Sequence, residues 1–368
     1  MVVPFVDLLA QHRSIKKHID QAMNAVIETS SFIRGSSIQE FEVAFANMIG
    51  IEHAWGVASG TDALHLAARA LEIGPGDEVI TQTNTWISTA FAADYIGATP
   101  VFIDIDKDTY QMDIVALENA ITPKTKAVIP VHMFGHPAPM DQIVKICRPR
   151  GISIIEDIAQ APLAEINGQQ VGTFGDIACF SFYPSKNLGC MGDGGAIATN
   201  EAALAEKIHL LSNYGQAERF NHKVIGYNSR LDTLQAAILL AKLPYLQNWT
   251  EARRSHAKRY NELLKDLPVK TPLEAANAKA VYHLYVIQIE ERDACLEHLT
   301  KSGIMAQIHY PKPVHLQPCY HDLGYKVGDL PVAEAACQQI LSLPLYPELT
   351  DIQIQTVVET LSNFIDLK

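Results

Sequence analysis

Between residue 55 and about residue 200, short apolar runs alternate with stretches of helical periodicity. Trp55–Ala58 leads through Ser59-Gly60-Thr61-Asp62 into Ala63–Leu71, whose apolar residues fall at helical spacing. Glu78–Thr81 reads as a strand and Thr89–Tyr95 as a helix. Pro100–Ile105, Ala127–Val131 and Ile152–Asp157 read as further strands, and Gly74-Pro75-Gly76-Asp77 as a tight turn. Strands that alternate with helices predict an α/β fold, a mostly parallel sheet covered on both faces. After Ile197, Asn200 is the expected cap of a helix running to Leu211, and Asp232 of a second over Thr233–Leu243. The second is apolar on most faces, hence buried, and Pro244 follows it. The charged stretch Glu251–Tyr260 predicts a solvated helix crossing between domains. Tyr282–Ile289 reads as a strand, and two helices flank a turn-rich region at 309–330, which together describe a small α+β domain. The expected division is a large domain over 1–245, with an N-terminal arm, and a small one over 246–368.

Composition narrows the function classes. The chain has 368 residues, 48% of them hydrophobic and 19% charged, which suits a globular protein with a sizeable core. Its net charge of −12 argues against a nucleic-acid or anionic-membrane surface and leaves room for a local basic site facing a phosphorylated small molecule. Met1–Asp7 lacks a basic leader and is interrupted by Pro4, so no signal peptide is expected. No apolar segment approaches the roughly 18 residues of a membrane span. The six cysteines show no CxxC spacing, and His132 and His136 belong to a scattered set, so neither a disulfide framework nor a metal site is expected. The default location is the cytoplasm.

One lysine stands in unusual company. Lys186 lies in the aromatic, glycine-flanked run Phe180–Gly189, which continues through Gly192, Gly194 and Gly195. Most lysines beside a turn are solvated, but one that forms a Schiff base needs desolvation to lower its pKa. Pyridoxal phosphate chemistry also requires an acid for the ring nitrogen, a phosphate cradle and a ring stacker. Asp157 ends a strand at the edge where open α/β sheets bind ligands, although a strand-terminal turn aspartate fits equally. Ser59-Gly60-Thr61 follows a strand and opens a helix, as a phosphate cradle or an ordinary N-cap would. Trp86 suits either a stacker or the core.

Taken in order, Ser59–Leu64, Glu156–Gln160, Phe182–Gly189 and Gly192–Ala196 give the chain its resemblance. It resembles the DegT/DnrJ/EryC1/StrS sugar aminotransferases, within the fold type I pyridoxal-phosphate enzymes. That resemblance implies a three-layer αβα large domain and covers essentially the whole chain. It implies that Lys186 carries the cofactor and shuttles protons, that Asp157 pairs with the pyridine nitrogen and that Gln160 binds the phenolic oxygen. Gly60, Thr61 and Ser181 would hold the phosphate and Trp86 would stack on the ring. It further implies a homodimer with shared sites, in which Asn228 reaches the neighbouring subunit's cofactor phosphate; otherwise Asn228 is a turn residue after Gly226. Some relatives that deoxygenate sugars carry histidine at the Lys186 position, so lysine favours transamination. Asp193 stands where many relatives have glutamate.

Within the family, the chain looks most similar to enzymes that aminate the 3-keto group of a UDP-linked 2-acetamido hexuronic acid, in surface polysaccharide or lipopolysaccharide (O-antigen) assembly. Val224–Gln235 and Ile308–Pro311 carry that likeness. Arg230 offers a planar fork for a sugar carboxylate, or an ion pair to Asp232 or another acid. His309 and Tyr310 are candidates for the sugar or its pyrophosphate, and Arg34 for the nucleotide phosphates. The expected amino donor is an amino acid, and the same resemblance implies glutamate. Two other readings compete: C-4 amination of a dTDP-, UDP- or GDP-linked 4-keto-6-deoxy sugar, and a pyridoxal-phosphate-binding regulator without turnover. A dinucleotide-binding oxidoreductase would want a GxGxxG after its first strand, which is missing.

Overall fold

The computed structural model describes residues 1–367. Seven strands form the main sheet: β1 (His53–Val57), β2 (Glu78–Gln82), β3 (Thr99–Ile103), β4 (Thr125–Ile129), β5 (Ser153–Asp157), β6 (Ile177–Ser181) and β7 (Gly195–Thr199). Their spatial order is β1-β7-β6-β5-β4-β2-β3. The β6, β5, β4, β2 and β3 neighbours are parallel, and β7 runs antiparallel to both β1 and β6. This mixed, mostly parallel sheet with helices around it is the expected α/β fold.

Two helix caps need correction or qualification. Glu201, and not Asn200, occupies the cap of the helix Ala202–Ser212. The Asn200 side chain instead accepts from the Glu52 N–H at 2.9 Å, which ties the end of β7 to the start of β1. Asp232 does sit at the cap of Thr233–Lys242, without a side-chain capping bond. The helix around Glu251–Tyr260 extends over Leu246–Leu264 and is solvated on one face only, because Arg253, Ala257, Tyr260 and Leu264 are buried.

Three N-terminal helices, Leu8–Ser14, Lys16–Thr29 and Ser36–Ile49, lie outside the pattern read from residue 55 onward. The third matters to the site. Phe41, Phe45 and Ile49 repeat at helical spacing and are buried. Phe45 meets Phe180 and Phe182 edge-on, at ring-centre distances of 5.0 and 5.4 Å, directly behind the lysine-bearing loop.

Toward the C-terminus, Tyr285–Gln288 pairs antiparallel with Ile340–Leu343. The helices Arg292–Lys301 and Pro331–Gln339 flank the 309–330 region, and Asp351–Asp366 follows. One apolar core joins Tyr260, Tyr285, Leu299, Leu343 and Leu361, and it also takes in Val3, which bridges to Ile304. Among the described residues, no helix is long and apolar enough to cross a membrane.

Candidate active site

The parallel strands end at a common edge, and the antiparallel β7 begins there. That edge therefore collects Asp157 from β5, Ser181 from β6, Ser59–Thr61 after β1 and Trp86 after β2. Close approach depends on glycine. A Cβ on Gly60 would lie 2.7 Å from the Ser181 Cβ, and one on Gly195 would lie 2.5 Å from the Ser59 carbonyl carbon. The lysine loop folds back on itself in the same way: a Cβ on Gly189 would lie 2.3 Å from the Pro184 oxygen. The Lys242 ammonium clamps that turn, donating to the Gly189 carbonyl at 2.6 Å.

A cavity of about 460 Å³ results. Nine of the expected residues line it: Lys186, Asp157, Gly60, Thr61, Trp86, Gln160, Ser181, His309 and Tyr310. The Asp157 carboxylate accepts from the Thr89 hydroxyl at 2.8 Å and from the Ala159 N–H at 3.1 Å. Burial raises its pKa, against the pull of those two bonds and of Lys186. Burial likewise pushes the Lys186 ammonium down to about 8, with Asp157 opposing. Gln160 spends its oxygen on the Phe134 N–H at 2.6 Å, so its Nε2 donates toward the Tyr310 hydroxyl at 3.4 Å. Trp86 is 57% exposed and tilts against the Tyr310 ring at 5.5 Å. Burial drives His309 down to about 4, and it is therefore neutral at physiological pH. Its Nδ1 contacts the Ser342 hydroxyl at 2.9 Å.

Three expected site residues lie elsewhere on the chain. Asn228 is exposed and bridges to Asn213. Arg230 donates from Nη1 to the Asn213 side-chain oxygen at 3.1 Å and lies 5.4 Å from the centre of the Tyr214 ring. Arg34 and Arg230 line a separate cavity of about 330 Å³ with Glu42, whose carboxyl burial lifts to about 7.

Two contributors escaped the sequence reading. Thr89, at the start of an expected helix, fixes Asp157. His283 reaches the cavity from 96 residues beyond Asn187, which it contacts at 3.0 Å, and no local pattern announces that meeting. The buried His132–Glu156 pair lies one residue from Asp157. Glu156 also accepts from Gly172, Phe174 and Gly175, which makes it a loop anchor and leaves no metal cluster among the described residues.

Residues 13–362 match the DegT/DnrJ/EryC1/StrS aminotransferase family. The chain belongs to that family. It is 46% identical to the UDP-N-acetyl-3-dehydro-α-D-glucosamine 3-aminotransferase of Acidithiobacillus ferrooxidans, over 96% of each chain. A protein of Geobacillus stearothermophilus named as a pleiotropic regulatory protein is 44% identical, over 99% of each. The UDP-2-acetamido-2-deoxy-3-oxo-D-glucuronate aminotransferase of Pseudomonas aeruginosa is 40% identical, over 98% of this chain and all of that one. The crystal structure of S. venezuelae DesV in complex with a ketimine intermediate superposes with a TM-score of 0.97, at 41% identity over 99% of both chains.

This family member is a pyridoxal-phosphate-dependent sugar aminotransferase. Its cavity fits that cofactor. Among the described residues Asp157 has no ion-pair partner, so its buried carboxylate suits a protonated ring nitrogen. The helix Gly60–Ala70 opens at the cavity with Ser59 as its cap, and the Thr61 and Ser181 side chains stand beside its free N–H groups, a suitable setting for a phosphate.

Proposed function

We propose that this aminotransferase moves an amino group from an amino acid, L-glutamate, to C-3 of a UDP-linked 2-acetamido-2-deoxy-3-keto-hexuronic acid. Amine transfer is carried by one observation: a desolvated lysine and a buried, unpaired aspartate share a single cavity. The position and nucleotide rest on the two relatives named for 3-keto UDP-sugars, at 46% and 40% identity. For the hexuronate, the support is Arg230, which forms no ion pair among the described residues, so the pairing with Asp232 is absent.

Bound pyridoxal phosphate supplies an aldehyde that exchanges amines and a ring that withdraws electrons from the substrate carbon. In this reading, Lys186 Nζ takes the proton from the donor carbon and returns one to the other side of the transfer. Asp157 keeps the ring nitrogen protonated, and Thr89 fixes the carboxylate for that task. Gln160 Nε2 would donate to the phenolic oxygen, Gly60, Thr61 and Ser181 would hold the phosphate, and Trp86 would cover the ring face; all line the cavity. His309 and Tyr310 contact the sugar from the same cavity.

Asn228, Arg230 and Arg34 then act on the site of a second copy, because on their own chain they lie outside the cavity. Phe220 and Ile225, 81% and 86% exposed a few residues before Asn228 in the chain, suit such a homodimer face. The product serves cell-surface polysaccharide assembly, with the enzyme in the cytoplasm. Incubation with glutamate and a panel of 3-keto and 4-keto nucleotide sugars tests the assignment. Transfer to the 3-keto UDP-hexuronate is the expected result. Exclusive use of a 4-keto dTDP-sugar would sink it, and cofactor binding without any turnover would favour the regulator.

A further inference from the structure

A second recess, of about 410 Å³, abuts the cofactor cavity, and Tyr183, Ser185, His283 and His309 line both. Arg253 forms part of its wall. This arginine comes from the Leu246–Leu264 helix and is only 4% exposed. Its hydrogen bonds all leave from Nη1, to the carbonyls of Tyr282 and His283 at 3.3 Å each and of Leu345 at 2.9 Å. Its Nε has no partner. Among the described residues Arg253 forms no ion pair; Glu348 is the acid whose field it feels. Glu348 shares that field with the buried Lys242, and Asp7 lies near enough to push the Glu348 carboxyl upward. Burial lowers the Arg253 guanidinium to about 10, so it still carries its charge at neutral pH.

A guanidinium buried without a carboxylate in contact is costly, and three carbonyls on one nitrogen meet only part of its need. Aminotransfer from an amino acid brings a carboxylate to the enzyme with every turnover. The donor is an amino acid, and its amine must be held beside Lys186 while its acid group is fixed some distance away. Ser185 adjoins Lys186 and lines the recess, and the neutral His283 and His309 complete the shared wall without adding charge.

We infer that the recess receives a carboxylate of the amino-acid donor and that Arg253 is its counter-charge. The inference rests on the aminotransferase reading and is independent of which sugar accepts the amine. Its test is titration of glutarate, a dicarboxylate without an amino group, into the cofactor-loaded protein. Saturable binding to the wild type is expected. Arg253→Lys keeps the charge and loses the planar fork, so glutarate affinity should fall about tenfold or more, with the donor KM rising alike. Single-turnover amine transfer from the pyridoxamine-loaded enzyme to the keto-sugar should be unchanged. Gln307 is exposed on the wall of the same recess, so Gln307→Trp should obstruct glutarate without touching the buried arginine, and it serves if Arg253→Lys fails to fold. Wild-type glutarate affinity in both variants would overturn the inference. So would an effect confined to the keto-sugar KM, which would mark an acceptor subsite. Loss of both half-reactions in Arg253→Lys, with glutarate binding intact in Gln307→Trp, would reduce Arg253 to a carbonyl clamp and overturn it as well. Because glutarate binding is read without turnover, failure of every keto-sugar would strike the substrate assignment alone.

Discussion

Lys186 acts as a nucleophile only as the free amine, and its surroundings supply that form near neutrality. With its ammonium pushed down to about 8, the neutral fraction grows as pH rises, is about one half at that value and levels off roughly one unit above it. The rate at which cofactor-free enzyme regains its absorbance band on adding pyridoxal phosphate should therefore climb from pH 6.5, reach half its maximum near pH 8 and plateau about one unit higher. His309, neutral above about 4, should leave no inflection in that range. Lys186→Ala should lose the borohydride-trappable band and all turnover; full activity in that variant would end the central assignment. In the proposed mechanism, Asp157→Asn removes the anion that would hold the ring-nitrogen proton. Breaking a buried charge pair costs about 3–5 kcal/mol, so kcat/KM should fall by about two orders of magnitude or more, measured by steady-state kinetics. Lysine and aspartate were both legible as residue types in a local setting. Thr89 and His283 were not, because what qualifies them is a partner 68 or 96 residues away.

At the scale of elements, the lysine loop is held from two sides, by glycine contacts in front and by the Ser36–Ile49 helix behind. Gly189→Ala would drive a methyl group into the Pro184 carbonyl, where no flexible side chain can yield. Equilibrium titration should show weaker cofactor binding in this variant, out of proportion to its loss of melting temperature. Phe45→Ala removes the ring that meets Phe180 and Phe182 edge-on. Denaturant unfolding should report a loss of about 3–5 kcal/mol. The helix that carries Phe45 went unread because the strand–helix alternation that organised the sequence begins after it. The Asn200 cap failed for another reason. A cap residue followed by Glu201 satisfies the local rule, but the backbone N–H of Glu52, just before β1, competed for its oxygen.

At the scale of the molecule, the proposed homodimer has Asn228, Arg230 and Arg34 serve the reaction only through a second copy. Mixing Lys186→Ala with Asn228→Ala subunits tests this. Where subunits exchange, mixed dimers should regain one working site in each pair, and absence of any recovery would count against shared sites. By itself the sequence determined five of the seven strands of the main sheet and several of the helices, though not the strands Ile177–Ser181 and Gly195–Thr199, and its local runs singled out Lys186, Asp157, the Gly60–Thr61 turn and Trp86. These follow from near neighbours: periodicity, turn chemistry, and the rule that parallel strands end at one edge. Only the tertiary structure decided that Thr89 fixes Asp157, that His283 closes the cavity, that Phe45 supports the lysine loop and that Arg253 lies buried without an acid in contact. Each of those depends on a meeting of distant segments, and burial, which sets the charge on Lys186 and leaves Arg253 in want of an anion, exists only once the chain has closed.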